Sequence, residues 1–140
     1  MTYTAQDYLT IDIIDKVYDE QLTLQELMVV LLDRRVELVK VDTSKGVYTI
    51  PYPELINTIE YNIDLLSAGE YRPQGMQSTV VWQGGFADAR RLSYMDVNRW
   101  FDSISKITEL VYSMVYNSFI TNTYYTGTNR VKQMVRTVRN

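Results

Sequence analysis

This sequence of 140 residues contains no cysteine and no histidine. Their absence excludes an ordinary zinc site, a serine–histidine triad and a cysteine nucleophile, and leaves only carboxylate chemistry or a site for a hard cation. We therefore predict that the protein is not an enzyme, with no metal site, no cofactor and no small-molecule substrate. The lack of cysteine also fits a reducing compartment.

Long hydrophobic runs are also missing. The longest covers residues 27–32, far short of the 18 or so apolar residues that a membrane-spanning helix needs. The first residues lack the basic-then-apolar layout of a signal peptide, so we expect neither secretion nor membrane insertion. With 46% hydrophobic and 22% charged residues, the composition is that of a globular protein. We predict a single domain over residues 1–140.

Tyrosine is abundant: there are 12 tyrosines, against three phenylalanines and two tryptophans. A tyrosine joins a large apolar face to a hydrogen-bonding tip, which suits half-buried positions and protein–protein contacts. Alternatively, tyrosine simply takes the place of phenylalanine in a small core.

Charge is unevenly distributed along the chain. Residues 1–109 hold 10 basic and all 17 acidic side chains, whereas residues 110–140 hold four basic and no acidic ones. We predict that the basic, amphipathic stretch 128–140 is a docking tail that binds an acidic neighbour, including the next copy of the chain. The predicted docking residues are Arg130, Lys132, Met134, Arg136 and Arg139.

Helix starts are marked by three capping-box patterns, which begin at Thr4, Thr23 and Ser93. A fourth start is marked by Pro53, since proline suits the first position of a helix. Apolar residues recur at helical spacing after each of these positions. The predicted helices cover 5–18, 24–33, 53–67, 94–119 and 130–139, with a loop at 121–127. The 24–33 helix is apolar nearly all round, which predicts the centre of the core or a contact with another subunit.

Two β-prone runs, 36–41 and 47–50, flank a stretch rich in turn residues, which predicts a β-hairpin. The alternative is that the first run prolongs the preceding helix. Gly84 and Gly85 form a loop before the longest helix, without the spacing of a phosphate-binding loop. The predicted fold class is α+β, mainly α, with four or five helices, one β-hairpin and this glycine-containing loop.

The segment from Trp82 to Trp100 resembles a recurrent pattern in tail and baseplate proteins of bacteriophages. In that pattern a tryptophan and a glycine-containing loop precede Ser/Thr or Tyr, then Asp-Leu-Asn-Arg-Ile-Glu, then a helix. The matching residues here are Trp82, Gly84, Ser93, Tyr94, Asp96, Asn98 and Arg99. Val97 stands in place of the leucine, while Trp100 and Phe101 replace the isoleucine and the glutamate.

The resemblance implies a structural protein of the virion, built into a tail or baseplate ring from copies of itself and other virion proteins. A head–tail connector (neck or adaptor) protein is the alternative placement. The implied localisation is the virion, assembled in the host cytoplasm. The residues expected to form a loop–helix joint or an interface are Trp82, Gly84, Gly85, Ser93, Tyr94, Asp96, Asn98, Arg99 and Trp100.

A rival hypothesis from another class is a small regulatory protein that binds nucleic acid through Arg90, Arg91, Arg99 and the basic tail. The net charge of −3 and the sequence pI of about 4.9 have the wrong sign for that role. The structural alternative is that Arg90 and Arg91 pair with acidic residues or lie over the rings of Trp82 and Tyr94. We therefore expect nucleic acid not to be the partner.

Overall fold

The computed structural model of this protein describes residues 2–4, 11–42, 53–82 and 93–128, with side chains as far as Asn117 in the last range. Within these ranges the regular structure consists of helices. They are α1 (Ile11–Leu32), α2 (Pro53–Leu66), a 3₁₀ turn (Gly69–Tyr71) and α3 (Tyr94–Thr128). Helix α1 packs against both α2 and α3, and the apolar core lies where the three helices meet.

The predicted fold class is wrong in two respects. The described residues contain three α-helices rather than four or five, and they contain no strand, so the fold is mostly α rather than α+β. The loop at Gly84 and Gly85, the second half of the predicted hairpin at 47–50 and the predicted helix at 130–139 lie outside the described residues.

Helix α1 passes without interruption through the predicted break between residues 18 and 24. Thr23, predicted to cap a second helix, instead donates its hydroxyl to the carbonyl of Asp19 at 3.0 Å. One buried stripe continues across the break at alternating spacings of three and four residues, which favours a single helix. The stripe consists of Ile14, Val17, Gln21, Leu24 and Met28.

The end of α1 explains why the β-prone run 36–41 does not prolong it. Asp33 has a φ of +52°, in the left-handed region that asparagine and aspartate tolerate better than most residues. Its N–H donates to the carbonyl of Val29, and the N–H of Arg34 donates to the carbonyl of Met28, both at 3.1 Å. These two bonds close the helix and turn the chain away from its axis.

The run 36–41 follows as a segment without regular secondary structure, rather than as a hairpin strand. Its burial alternates: Val36 and Leu38 are half-buried, whereas Glu37 and Val39 are exposed. The alternation in burial that predicted a strand is therefore present. The half-buried side chains, however, contact helices rather than a neighbouring strand. Side-chain amides of α1 and α2 hydrogen-bond the backbone of this segment in place of a neighbouring strand.

Helix α2 begins at Pro53, as predicted, and its apolar face is buried. That face consists of Leu55, Ile56, Ile59, Ile63 and Leu66, each at most 5% exposed. Arg34 closes the far end, donating to the carbonyls of Leu66 at 2.6 Å and Leu65 at 3.1 Å. The Arg34 guanidinium also lies 3.6 Å from the centre of the Tyr71 ring, a cation–π contact.

Helix α3 begins at Tyr94, as predicted, but it continues to Thr128 rather than ending near residue 119. The predicted loop at 121–127 is therefore wrong. The buried face of α3 consists of Val97, Trp100, Ile104, Ile107 and Val111. Its four-residue and three-residue spacings place one side of the helix on the core over about four turns.

Candidate functional site: a buried polar joint

The start of α3 is fixed by Ser93 and Asp96. The Asp96 carboxylate accepts hydrogen bonds from the Ser93 N–H at 3.0 Å and from its hydroxyl at 3.1 Å. This is one half of a capping box, in which the third helical residue reaches back to the residue before the helix. A negative charge in the first turn also interacts favourably with the helix dipole.

One turn further along α3, Arg99 forms a two-bond ion pair with Glu60 of α2. Its two terminal nitrogens donate to the two Glu60 oxygens at 2.7 and 2.5 Å. A third contact, at 3.4 Å, reaches Asp96. The side chains of Arg99 and Glu60 are only 8% and 3% exposed, so this planar pairing lies inside the protein.

The carboxylate of Glu60 also receives two donors from the segment that precedes the predicted glycine loop. The indole N–H of Trp82 donates to it at 3.1 Å, and the backbone N–H of Val80 donates at 3.3 Å. Together with Arg99, these donors provide four hydrogen bonds to one buried carboxylate, which offsets its desolvation. Glu60 thereby links α2, α3 and the segment 76–82.

Asn57, one turn before Glu60, holds the same segment by its backbone. Its side-chain oxygen accepts from the Trp82 N–H, and its side-chain N–H donates to the Trp82 carbonyl, both at 2.7 Å. We use the name joint for Asn57, Glu60, Trp82, Asp96 and Arg99. Every member has a hydrogen-bond partner, so the joint connects α2, α3 and the segment 76–82 through a closed polar network.

Asn98 holds the N-terminal residues in the same way. The Tyr3 N–H donates to its side-chain oxygen at 2.7 Å, and its side-chain N–H donates to the Tyr3 carbonyl at 2.8 Å. The Tyr3 ring stacks on Phe101 with 6.0 Å between centroids and is almost fully buried. A side chain of the first turns of α3 therefore ties down a segment that is 95 residues distant in sequence.

A third asparagine repeats this arrangement. Asn62 accepts from the Val39 N–H at 2.8 Å and donates to the Val39 carbonyl at 2.9 Å. It also donates to Gln21 of α1, which in turn donates to the carbonyl of Ile59 at 2.9 Å. A carboxamide has the donor and acceptor of a peptide group, so each of these asparagines provides the two bonds that a neighbouring strand would.

Replacing Asn98 by alanine is expected to lower the free energy of unfolding by about 1–2 kcal/mol, because the N–H and C=O of Tyr3 lose their partners. Urea denaturation measures this change, and limited proteolysis will show faster cleavage near Tyr3. Asn117→Ala, at an exposed position of the same helix, is the matched control. Equal stability and equal cleavage in the two variants would show that Asn98 does not hold the N-terminal residues.

The pKa values of Arg99 and of the half-buried Arg34 each reflect opposing effects. For Arg99, burial lowers the pKa, but the hydrogen bonds and charges of Glu60 and Asp96 outweigh burial and leave the pKa above its usual value. For Arg34, burial lowers the pKa more than Tyr71 and Glu70 raise it. Both guanidinium groups stay charged at physiological pH. Arg99 therefore serves as a fixed positive charge that orients two carboxylates.

The residues around the joint determine whether it can hold a metal ion or a ligand. The described residues contain no group of three side chains suited to hold a metal ion. An open groove of about 630 Å³ borders the joint, and its lining mixes polar and apolar side chains. It is lined by Thr2, Gln77, Met95, Asn98, Arg99, Phe101, Asp102 and Ser105.

No family model, curated protein or solved structure matches this chain. The resemblance to phage tail and baseplate proteins therefore depends on the matched residues themselves. None of the helices in the described part of the chain is long and apolar enough to cross a membrane.

The structure brings together four of the residues expected to form a joint or an interface. Trp82, Ser93, Asp96 and Arg99 lie in one hydrogen-bonded network with Glu60. The remaining residues are placed elsewhere: Asn98 binds Tyr3, Tyr94 is half-buried, and Trp100 lies in the core with no exposed surface. Gly84, Gly85 and the docking residues Arg130, Lys132, Met134, Arg136 and Arg139 lie outside the described residues.

Sequence reasoning missed the residues of α2 that complete the joint. Glu60 lies on the apolar face of α2, between Ile56 and Ile63, so an acid in that face was a usable signal of a buried charge pair. The roles of Asn57 and Asn62 have no comparable signal. Asparagine is equally common on solvated helix faces, and nothing local identifies the backbone segment that it holds.

Proposed function

We propose that this chain is a structural subunit of a bacteriophage virion that acts through protein–protein contacts in a tail or baseplate ring. The observation that carries the proposal is the stretch of α3 after Val111. Among the described side chains of that helix Val111 is the last buried one, and none of the six described beyond it is buried. The helix nevertheless continues to Thr128.

The described side chains of α3 after Val111 have the composition of an interface. Tyr112 and Tyr116 are 55% and 64% exposed, and their four-residue spacing places them on one side of the helix. Tyrosine is enriched at protein–protein interfaces. The stretch from Tyr112 to Thr128 is about 26 Å long at ~1.5 Å per residue. A helix of this length depends on packing for most of its stability, so a partner surface is expected.

The joint supports a structural role rather than a reactive one. The residues that carry the resemblance are occupied with contacts inside the chain, where they fix the first turns of α3 to α2 and to the N-terminal residues. This rigid base sets the direction in which α3 leaves the body. The pairing of Arg99 with Glu60 also removes one of the three arginines outside the basic tail on which the nucleic-acid hypothesis relied.

Copies of the chain are the first expected partners, with other virion proteins as further neighbours. The acidic residues 1–109 and the basic residues 110–140 favour head-to-tail packing, which produces a closed ring when the rotation between copies closes. A head–tail connector ring is the alternative placement, because it uses the same kind of contact. The localisation that follows from either placement is the virion.

Replacing Tyr112 and Tyr116 together by serine tests this proposal. The change is expected to shift the protein from oligomer to smaller species in analytical ultracentrifugation, with thermal stability nearly unchanged because both side chains are exposed. Tyr61→Ser is the matched control, since Tyr61 is 53% exposed on α2. An unaltered mass distribution in the double variant, or an equal loss in the control, would contradict the proposed role of α3.

A further inference from the structure

The second half of α1 carries an open apolar groove that lies away from the joint. Its volume is about 420 Å³, and it is lined by Gln25, Glu26, Val29, Val30, Arg35 and Val36. Val30 is 70% exposed although it follows two turns of largely apolar helix. The sequence predicts that the apolar stretch 24–33 forms the centre of the core or a contact with another subunit, and the structure leaves one side of this stretch uncovered.

The groove is preformed rather than a gap between mobile groups. Its two walls are α1 and the segment after α1, and a hydrogen bond of 2.5 Å from the Gln25 side chain to the Val36 carbonyl holds them together. The same segment is tied to α2 by Asn62 through both backbone groups of Val39. A ligand of this groove therefore would not have to order the walls when it binds.

The rim of the groove carries a net negative charge. Its charged lining residues are Glu26, which is exposed, and Arg35, whose positive charge is offset by Asp33, 3.3 Å away. Both partners of that pair are well exposed, so the pair itself contributes little to stability. An occupant of complementary chemistry would be an amphipathic segment with an apolar stripe and several positive charges.

We propose that this groove receives residues 129–140 of a second copy of the chain. That segment has Val131, Met134, Val135 and Val138 at helical spacing, with Arg130, Lys132, Arg136 and Arg139 around them. The apolar stripe of this segment is complementary to the apolar floor of the groove. Its positive charge is opposite in sign to the charge of the rim. It follows directly after α3, so α3 and the basic segment together form one half of a head-to-tail contact.

The inference rests on the proposed self-assembly and specifies the surface that receives the neighbour. In a head-to-tail ring each copy offers one groove and one basic segment, so every contact is the same and none is left over when the ring closes. Electrostatic attraction makes such a contact sensitive to salt, whereas its apolar part is not screened.

The absence of native cysteine allows a direct test by disulfide cross-linking of full-length chains. One chain carries Val30→Cys and the other carries Met134→Cys, and the two are mixed and oxidised under mild conditions. Chains with Val81→Cys instead of Val30→Cys are the matched control, because Val81 is 85% exposed and does not line the groove. We expect several-fold more mixed dimer with Val30→Cys than with the control, and a smaller excess at high salt.

A second pair of measurements distinguishes the possible reasons for a negative cross-linking result. If the double variant with both cysteines in one chain gives only an internal disulfide, and the mixture gives no excess, the segment binds its own chain and the inference is overturned. If the unmodified protein is an oligomer but cross-linking shows no excess, another surface forms the contact. A strictly monomeric protein would instead contradict the proposed function itself.

Glu26→Lys should reduce the excess of mixed dimer several-fold if the negative charge of the rim attracts the segment.

Discussion

Replacing Glu60 by glutamine is expected to lower the free energy of unfolding by about 3 kcal/mol. The reason is that Arg99 remains charged and 8% exposed after its two-bond partner has lost its charge. Asp96, 3.4 Å from Arg99, retains part of the compensation, so the loss should fall at the lower end of the range for broken buried pairs. Urea denaturation followed by circular dichroism measures the change.

Two further variants show whether the charge pair is responsible. Glu109→Gln, at an exposed position of α3, is expected to change stability by less than ~0.5 kcal/mol. The double variant Glu60→Leu with Arg99→Met should be more stable than Glu60→Leu alone, because no unpaired charge is then buried. If Glu60→Gln is as stable as Glu109→Gln, the pair does not hold α2 and α3 together.

Replacing Trp100 by alanine is expected to lower the free energy of unfolding by about 3–5 kcal/mol, because its side chain is fully buried. Replacing it by phenylalanine should have less than half that effect. The indole N–H of Trp100 has no acceptor among the described residues, so phenylalanine removes an unsatisfied donor while it keeps most of the apolar volume.

The control for Trp100 is Met95→Ala, at a 63% exposed position of the same helix, with an expected change below ~0.5 kcal/mol. The result for Trp100→Ala also distinguishes two possible roles of Trp100, one in an interface and one in the core. A small loss of stability in Trp100→Ala, together with a loss of self-association, would indicate the interface role that the sequence predicts. A large loss of stability supports the core role that the structure assigns.

Local signals in the sequence were sufficient where a helix is defined by its own residues. Pro53 and the regular apolar spacing after it identified α2, and Ser93 with Asp96 identified the start of α3. A local signal failed at Thr23, where the capping pattern is present but one stripe of buried residues continues past it. The stripe includes Gln21, whose burial depends on hydrogen bonds to α2 that no local pattern predicts.

The predicted hairpin failed for a related reason. The β-branched residues of 36–41 do alternate in burial, but Gln25 and Asn62 hydrogen-bond their backbone in place of a second strand. In the site, the resemblance identified Trp82, Asp96, Asn98 and Arg99, all of which make buried or half-buried contacts. It did not identify Glu60, because that contact joins residues 39 positions apart.

Trp100 shows the limit of the resemblance as a guide to interfaces. It lies on the same side of α3 as Val97 and Ile104, a spacing that predicts burial in the core. Among the described side chains of α3, the large exposed aromatic ones lie further along the helix, at Tyr112 and Tyr116. The segment that carries the resemblance therefore builds the base of α3, and the proposed contacts with other subunits begin beyond it.

The most direct test of the proposed function is quantitative mass spectrometry of phage particles purified from a culture in which this chain is produced. The proposal predicts that the chain co-purifies with the particles at a fixed whole-number ratio to their other ring-forming proteins. It also predicts that this ratio survives a high-salt wash that removes loosely bound host proteins. Particles that contain none of the chain, from cells in which it is abundant, would contradict a structural role in the virion.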